Sequence, residues 1–143
     1  MSEKEQFIVP QDWYLKSGIH IGTKFRTKYM DKFIYKTRPD GLSVLNLQKI
    51  DERLRLAANL LAQYEPQAIL GVSRRENGWK PVKTFAKATG AKFFAGRYPP
   101  GVLTNSELRD YVEAKLMLIT DTWPDKNALR DAQKIGIPTI ALC

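Results

Sequence analysis

The hydrophobic positions change period along the chain. Leu47, Ile50, Leu54, Ala57, Ala58 and Leu61 recur at helical spacing, and Pro66 stops that helix. Ala68-Ile69-Leu70-Gly71-Val72 is a continuous apolar run, the pattern of a strand buried on both faces. A second helix follows from about Trp79 to Thr89, with Val82, Phe85 and Ala86 on its apolar side and Gly90 as its stop. Ala91–Ala95 reads as a strand. Asn105 and Ser106 are placed to cap a short helix through about Val112. Leu116–Thr120 is a further buried strand. Asp125 can cap a helix carrying Leu129, Ala132 and Ile135, closed by Gly136, and Ile137–Leu142 is the last strand. From residue 47 onward helices and strands alternate. That predicts an α/β domain with a parallel sheet and helices on both faces.

The first 46 residues follow a different pattern. Residues 1–10 are polar and read as an extended arm. Asp12–Ser17 predicts a short helix, with Gly18 as its stop. Ile19–Tyr29 reads as a basic, irregular loop. Phe33-Ile34-Tyr35 and Ser43-Val44-Leu45-Asn46 are strand-like runs on either side of Arg38-Pro39-Asp40-Gly41, which is turn chemistry. A small hairpin is expected there. At 143 residues the chain fits a single domain, with 1–46 as arm, loop and hairpin and 47–143 as the α/β core. A strand that ends at Cys143 would expose an apolar sheet, so the natural chain is expected to continue.

Charge narrows the partner. The formal net charge is +8, and it is unevenly spread. Residues 16–38 hold Lys16, Lys24, Arg26, Lys28, Lys32, Lys36 and Arg38 against Asp31 alone. Residues 71–98 hold Arg74, Arg75, Lys80, Lys83, Lys87, Lys92 and Arg97 against Glu76 alone. The remainder of the chain is net acidic. Two localised basic segments point to a face that meets phosphates. Candidate RNA contacts are Lys24, Arg26, Lys28, Lys36, Arg38, Arg74, Arg75, Lys80, Arg97 and Tyr98. Arginine grips a phosphate bidentately, and Tyr98 and Trp79 offer flat rings for a base or ribose unless they belong to the core.

Other chemistry finds little support. The loop Gly71-Val72-Ser73-Arg74-Arg75-Glu76-Asn77-Gly78 follows a buried strand, where a nucleotide site would lie. It has neither a Gly-x-Gly-x-x-Gly pattern nor a Gly-Lys-Ser/Thr end, and carries bulky arginines instead. His20 is the sole histidine and Cys143 the sole cysteine, so no metal cluster or internal disulfide is expected. Asp121 stands at a strand end, where turn formation explains it as well as catalysis does. No catalytic residue and no cofactor is assigned. No run is long and apolar enough to span a membrane, and no secretory signal pattern opens the chain.

Four stretches, in order, resemble the S-two family of small-subunit ribosomal proteins. Leu15-Lys16-Ser17-Gly18-Ile19-His20-Ile21-Gly22 is similar to the opening motif of that family. Val44-Leu45-Asn46-Leu47-Gln48-Lys49 is similar to the entry to its first long helix. Gly96-Arg97-Tyr98-Pro99-Pro100-Gly101-Val102-Leu103-Thr104-Asn105 is similar to its most distinctive loop. Leu118-Ile119-Thr120-Asp121, with Ala128 through Gly136-Ile137-Pro138, is similar to its final helix–strand unit. Ala88-Thr89-Gly90-Ala91 and Trp123-Pro124-Asp125-Lys126-Asn127 resemble the archaeal type. Eukaryotic members include the protein also called laminin-receptor precursor. The chain has no room for the helical insertion of bacterial members, and it stops before a segment that usually begins Asp-Thr.

The resemblance implies a flavodoxin-like, three-layer parallel sheet with an added N-terminal loop and hairpin. It implies a structural role in the small ribosomal subunit, in the cytoplasm. The implied partners are small-subunit rRNA and neighbouring small-subunit ribosomal proteins. Catalysis, a membrane and a small-molecule substrate are not implied.

Overall fold

The computed structural model describes residues 7–142, so the first part of the polar arm and Cys143 lie outside it. The chain falls into two compact units, divided between Asn59 and Leu60.

The first unit opens with helix α1 (Gln11–Ser17). Strands β1 (Ile34–Thr37) and β2 (Ser43–Leu45) pair antiparallel, which is the hairpin expected from the turn residues between them. Residues 21–23 lie along the other side of β2. The Gly22 amide donates to the Ser43 carbonyl at 2.8 Å, and the Ser43 amide donates to the Thr23 carbonyl at 3.2 Å. The basic loop is therefore pinned to the hairpin at its start. Its later part, Lys28–Phe33, coils into a 3-10 turn.

Helix α2 (Leu47–Ala62) begins in this unit. Its best-buried side chain is the carboxylate of Asp51, 7% exposed. Three donors hold it: the Ile8 amide at 2.9 Å, the Tyr14 hydroxyl at 2.8 Å and Arg55 Nε at 2.9 Å. Burying a charge is costly unless such partners are supplied. Burial alone would raise this carboxyl, but the three donors outweigh it and hold it below its ordinary range.

The second unit is built on β3 (Ile69–Ser73), β4 (Lys92–Ala95), β5 (Leu116–Ile119) and β6 (Thr139–Ala141), all parallel, in the order β4-β3-β5-β6. β3 is buried at every position, as its unbroken apolar run requires. Alternate residues serve two cores. Leu70, Val72, Met117 and Ile119 pack with Ala128 and Ala132 of α4 (Lys126–Ile135). Ile69 and Leu116 pack with Leu60, Leu61 and Phe85. Phe85 belongs to α3 (Trp79–Thr89), which spans the residues expected from its spacing. Gly90 and Gly136 adopt the left-handed conformation that ends α3 and α4.

Two expectations are corrected. Residues 105–112 form successive turns, not a helix. The capping signal is genuine, because Asn105 Oδ1 accepts from the Glu107 amide at 3.0 Å. The segment is mostly exposed, however, and offers no apolar stripe to hold a helix in place. In α4 the buried positions are Ala128 and Ala132, with Leu129 packed beside them, while Ile135 is 39% exposed and outside the core. Two alanines four residues apart allow the helix to approach Met117 and Ile119 closely.

Candidate nucleic-acid interface

A sheet of this order reverses direction between β3 and β5. Open α/β sheets hold ligands in the crevice beyond the strand ends at that point. Here the crevice is filled by the chain's own side chains. Ser73 Oγ donates to the Arg75 carbonyl at 3.1 Å, and Thr120 Oγ1 donates to the Val72 carbonyl at 3.3 Å. Gly78 presses against both hydroxyls so closely that a Cβ there would overlap Ser73 Oγ. Asp125, at the start of α4, is 2% exposed, with neither carboxylate oxygen in a well-formed hydrogen bond. Burial pushes its carboxyl up and the neighbouring charge of Asp121 adds to that, while the Arg74 amide and guanidinium pull the other way. Between Ser73, Gly78 and Thr120 no open space remains.

What projects from that edge is basic. Arg74 and Arg75 follow β3 and Arg97 follows β4. Because Ser73 is in register with Ala95, the three arginines leave the sheet side by side. All three are exposed, as is Lys80 in the first turn of α3. Arg75 Nε is 3.2 Å from Asp121 Oδ2, so one of the arginines already has a counter-ion. Trp79 is half-buried; its indole N–H donates to the Arg74 carbonyl at 3.2 Å and thereby fixes the loop that carries the arginines.

Tyr98 requires a correction. It is 4% exposed and belongs to the core. Its ring meets Phe94 edge-on at 6.1 Å, and its hydroxyl donates to Asp131 Oδ2 at 2.9 Å. Burial, then the bond to Asp131, raises its phenol well above the ordinary value. No face of the ring is open to a base, and its role is to tie the Pro99–Gly101 loop to α4.

The first unit carries the other candidates. Lys24, Arg26, Lys28, Lys36 and Arg38 are all exposed. Arg26 lies 3.8 Å from Asp31 and Arg38 lies 3.3 Å from Asp40, both at exposed positions where such pairs are weak. Lys36 and Arg38 help line a groove of about 780 Å³, together with Leu15, His20, Ile21 and Tyr35. His20 is half-buried, its carbonyl accepts from the Leu45 amide at 2.7 Å, and its Nδ1 is shielded without a partner. It is a packed loop histidine. Aromatic residues that sequence reasoning passed over stand among these cations: Phe25 is 81% exposed, Tyr29 64% and Tyr35 70%. The signal for Phe25 and Tyr29 was present as the alternation Lys24-Phe25-Arg26-Thr27-Lys28-Tyr29.

Among the described residues no group of three or more potential metal ligands converges, and no helix is long and apolar enough to cross a membrane.

Comparison with known proteins agrees with the resemblance read from the motifs. The family model for ribosomal protein S2 matches residues 14–114. Small ribosomal subunit protein uS2 of Nanoarchaeum equitans is 52% identical over 95% of this chain and 68% of its own length. The protein of that name from Picrophilus torridus is 45% identical over 98% of this chain and 70% of its own length. That from Saccharolobus solfataricus is 46% identical over 95% of this chain and 59% of its own length. The chain thus spans between about three-fifths and seven-tenths of these relatives. Nearly full coverage at such identity leaves one assignment: the chain belongs to the ribosomal protein S2 family, in its archaeal form.

Proposed function

We propose that this chain is a structural constituent of the small ribosomal subunit in the cytoplasm, binding small-subunit rRNA and neighbouring ribosomal proteins to support subunit assembly and translation. The observation that carries this reading is its 52% identity, over 95% of its length, to a relative named small ribosomal subunit protein uS2. The chain acts by binding and not by catalysis, and the filled crevice between β3 and β5 agrees with that.

The phosphate contacts are assigned to the exposed cations. In the first unit these are Lys24, Arg26, Lys28, Lys36 and Arg38. In the second they are Arg74, Arg75, Lys80 and Arg97. Each cation that meets a phosphate releases a counter-ion, so affinity must fall with salt. Tyr98 is not among the contacts, because it is buried.

The test is co-sedimentation of the tagged chain with small ribosomal subunits at rising salt. The expected result is a chain that travels with the subunit and binds subunit rRNA with a steep negative salt slope. A chain found only in the free fractions sinks the proposal. Replacing Arg74, Arg75 and Arg97 together by alanine is expected to weaken RNA binding on many sequences alike and to flatten the slope.

A further inference from the structure

We infer that the loop Thr23–Phe33 is a stacking platform for unpaired RNA bases, with Phe25 and Tyr29 as the rings that receive them. This rests on the ribosomal reading above and sharpens it from phosphate contact to a kind of RNA.

A phenylalanine that is 81% exposed gains nothing from the fold. Yet the backbone that presents it is fixed. Thr23 Oγ1 donates to the Phe25 carbonyl at 2.9 Å, and Gly22 and Thr23 are bonded to Ser43 of β2. The Met30 amide closes the following turn on the Thr27 carbonyl at 3.1 Å. Rigid presentation lowers the entropy cost of binding.

Tyr29 is fixed by its neighbours. Lys32 Nζ sits 4.1 Å from the centre of its ring, and the ring of Phe33 leans on it at 6.1 Å. Phe33 in turn lies near Lys32 and Arg53, each 5.1 Å from its centre. Cations occupy Phe33 and one face of Tyr29. Tyr29 is still 64% exposed, which leaves ring surface for a base.

The flanking residues decide what lands there. Both chain neighbours of Phe25 are cations, Lys24 and Arg26, and Lys28 precedes Tyr29. A protein-docking centre is depleted of charge. Rings interleaved with cations fit a polyanion that also carries flat, apolar faces, which describes RNA. In a duplex those faces are covered by neighbouring base pairs. Only unpaired bases in a loop, bulge or single-stranded end can stack on a side chain.

The experiment compares a short oligoadenylate single strand with duplex RNA of equal nucleotide count, using the intact chain. Phe25→Leu/Tyr29→Leu keeps apolar bulk but removes the aromatic faces. We expect it to weaken single-strand binding about tenfold or more and duplex binding by less than about twofold. A 2-aminopurine in the single strand should be quenched by the parent and not by this variant, and Phe25→Trp/Tyr29→Trp should retain the quenching. Equal loss on single strand and duplex overturns the inference, as does an unchanged leucine variant. Those two results leave salt-dependent RNA binding standing. A parent that binds no RNA overturns the ribosomal reading as well.

Discussion

The hydroxyl of Tyr14 donates to Asp51 Oδ1 at 2.8 Å across 37 residues of sequence, joining α1 to α2. The Ile8 amide and Arg55 Nε complete the cage around the same carboxylate. Among its described residues the first unit buries few large apolar side chains, so this polar cluster does much of the work that a hydrophobic core does elsewhere.

Asp51→Ala is therefore expected to cost about 1–2 kcal/mol in urea unfolding, chiefly because it leaves the buried Tyr14 hydroxyl without its acceptor. The acid side follows from the lowered carboxyl. The stabilisation is complete above the unfolded value near 3.8 and is lost as pH falls from there through the native value. Asp51→Asn should flatten that acid limb; an unchanged limb would show that another group governs it. On the alkaline side, burial and then Asp51 push the Tyr14 phenol up to about 12. Stability should decline from pH 10 toward that value.

Asp125 has the opposite sign. Its carboxyl is raised, so charging it costs the fold. Stability of the second unit should increase as pH falls through the raised native value toward 3.8. Asp125→Asn is expected to stabilise the chain at neutral pH by about 1 kcal/mol. A loss of that size on chemical denaturation would mean that the carboxylate has a partner after all.

Gly78→Ala tests the filled crevice. The new methyl would overlap Ser73 Oγ and lie 3.0 Å from Thr120 Oγ1. A loss of about 2 kcal/mol is expected in a thermal or urea melt. Ser73→Ala in the same chain should restore part of it, because Ser73 Cβ, also close at 3.1 Å, remains.

Arg75 should be a weaker phosphate contact than Arg74, since Asp121 already holds it at 3.2 Å. Asp121→Asn removes that competitor and keeps the Oδ1 that accepts from the Trp123 amide. RNA affinity should rise, and the salt slope should steepen by about one contact. Unchanged binding would remove Arg75 from the interface.

The sequence reported most of this fold wherever burial and periodicity coincide. α3 and the fully buried β3 are the clearest cases. It misled at 105–112, where a capping asparagine starts a turn that nothing apolar sustains. It left the aromatics undecided. Tyr98, which follows a basic strand end, could have been a base contact or a core ring, and Phe94 and a carboxylate 33 residues away draw it inside. Phe25 and Tyr29 looked like loop residues of no account. Whether a ring faces solvent depends on partners distant in sequence, which no local pattern records.

The plugged edge between β3 and β5 also limits what descendants of this chain can become. A pocket is gained cheaply when a fold already leaves room and needs only a new polar group. Here Ser73, Gly78 and Thr120 press together, so clearing space for a cofactor means changing several positions together. The architecture is shared with small-molecule binders, but the mutational path to their trade is barricaded from within.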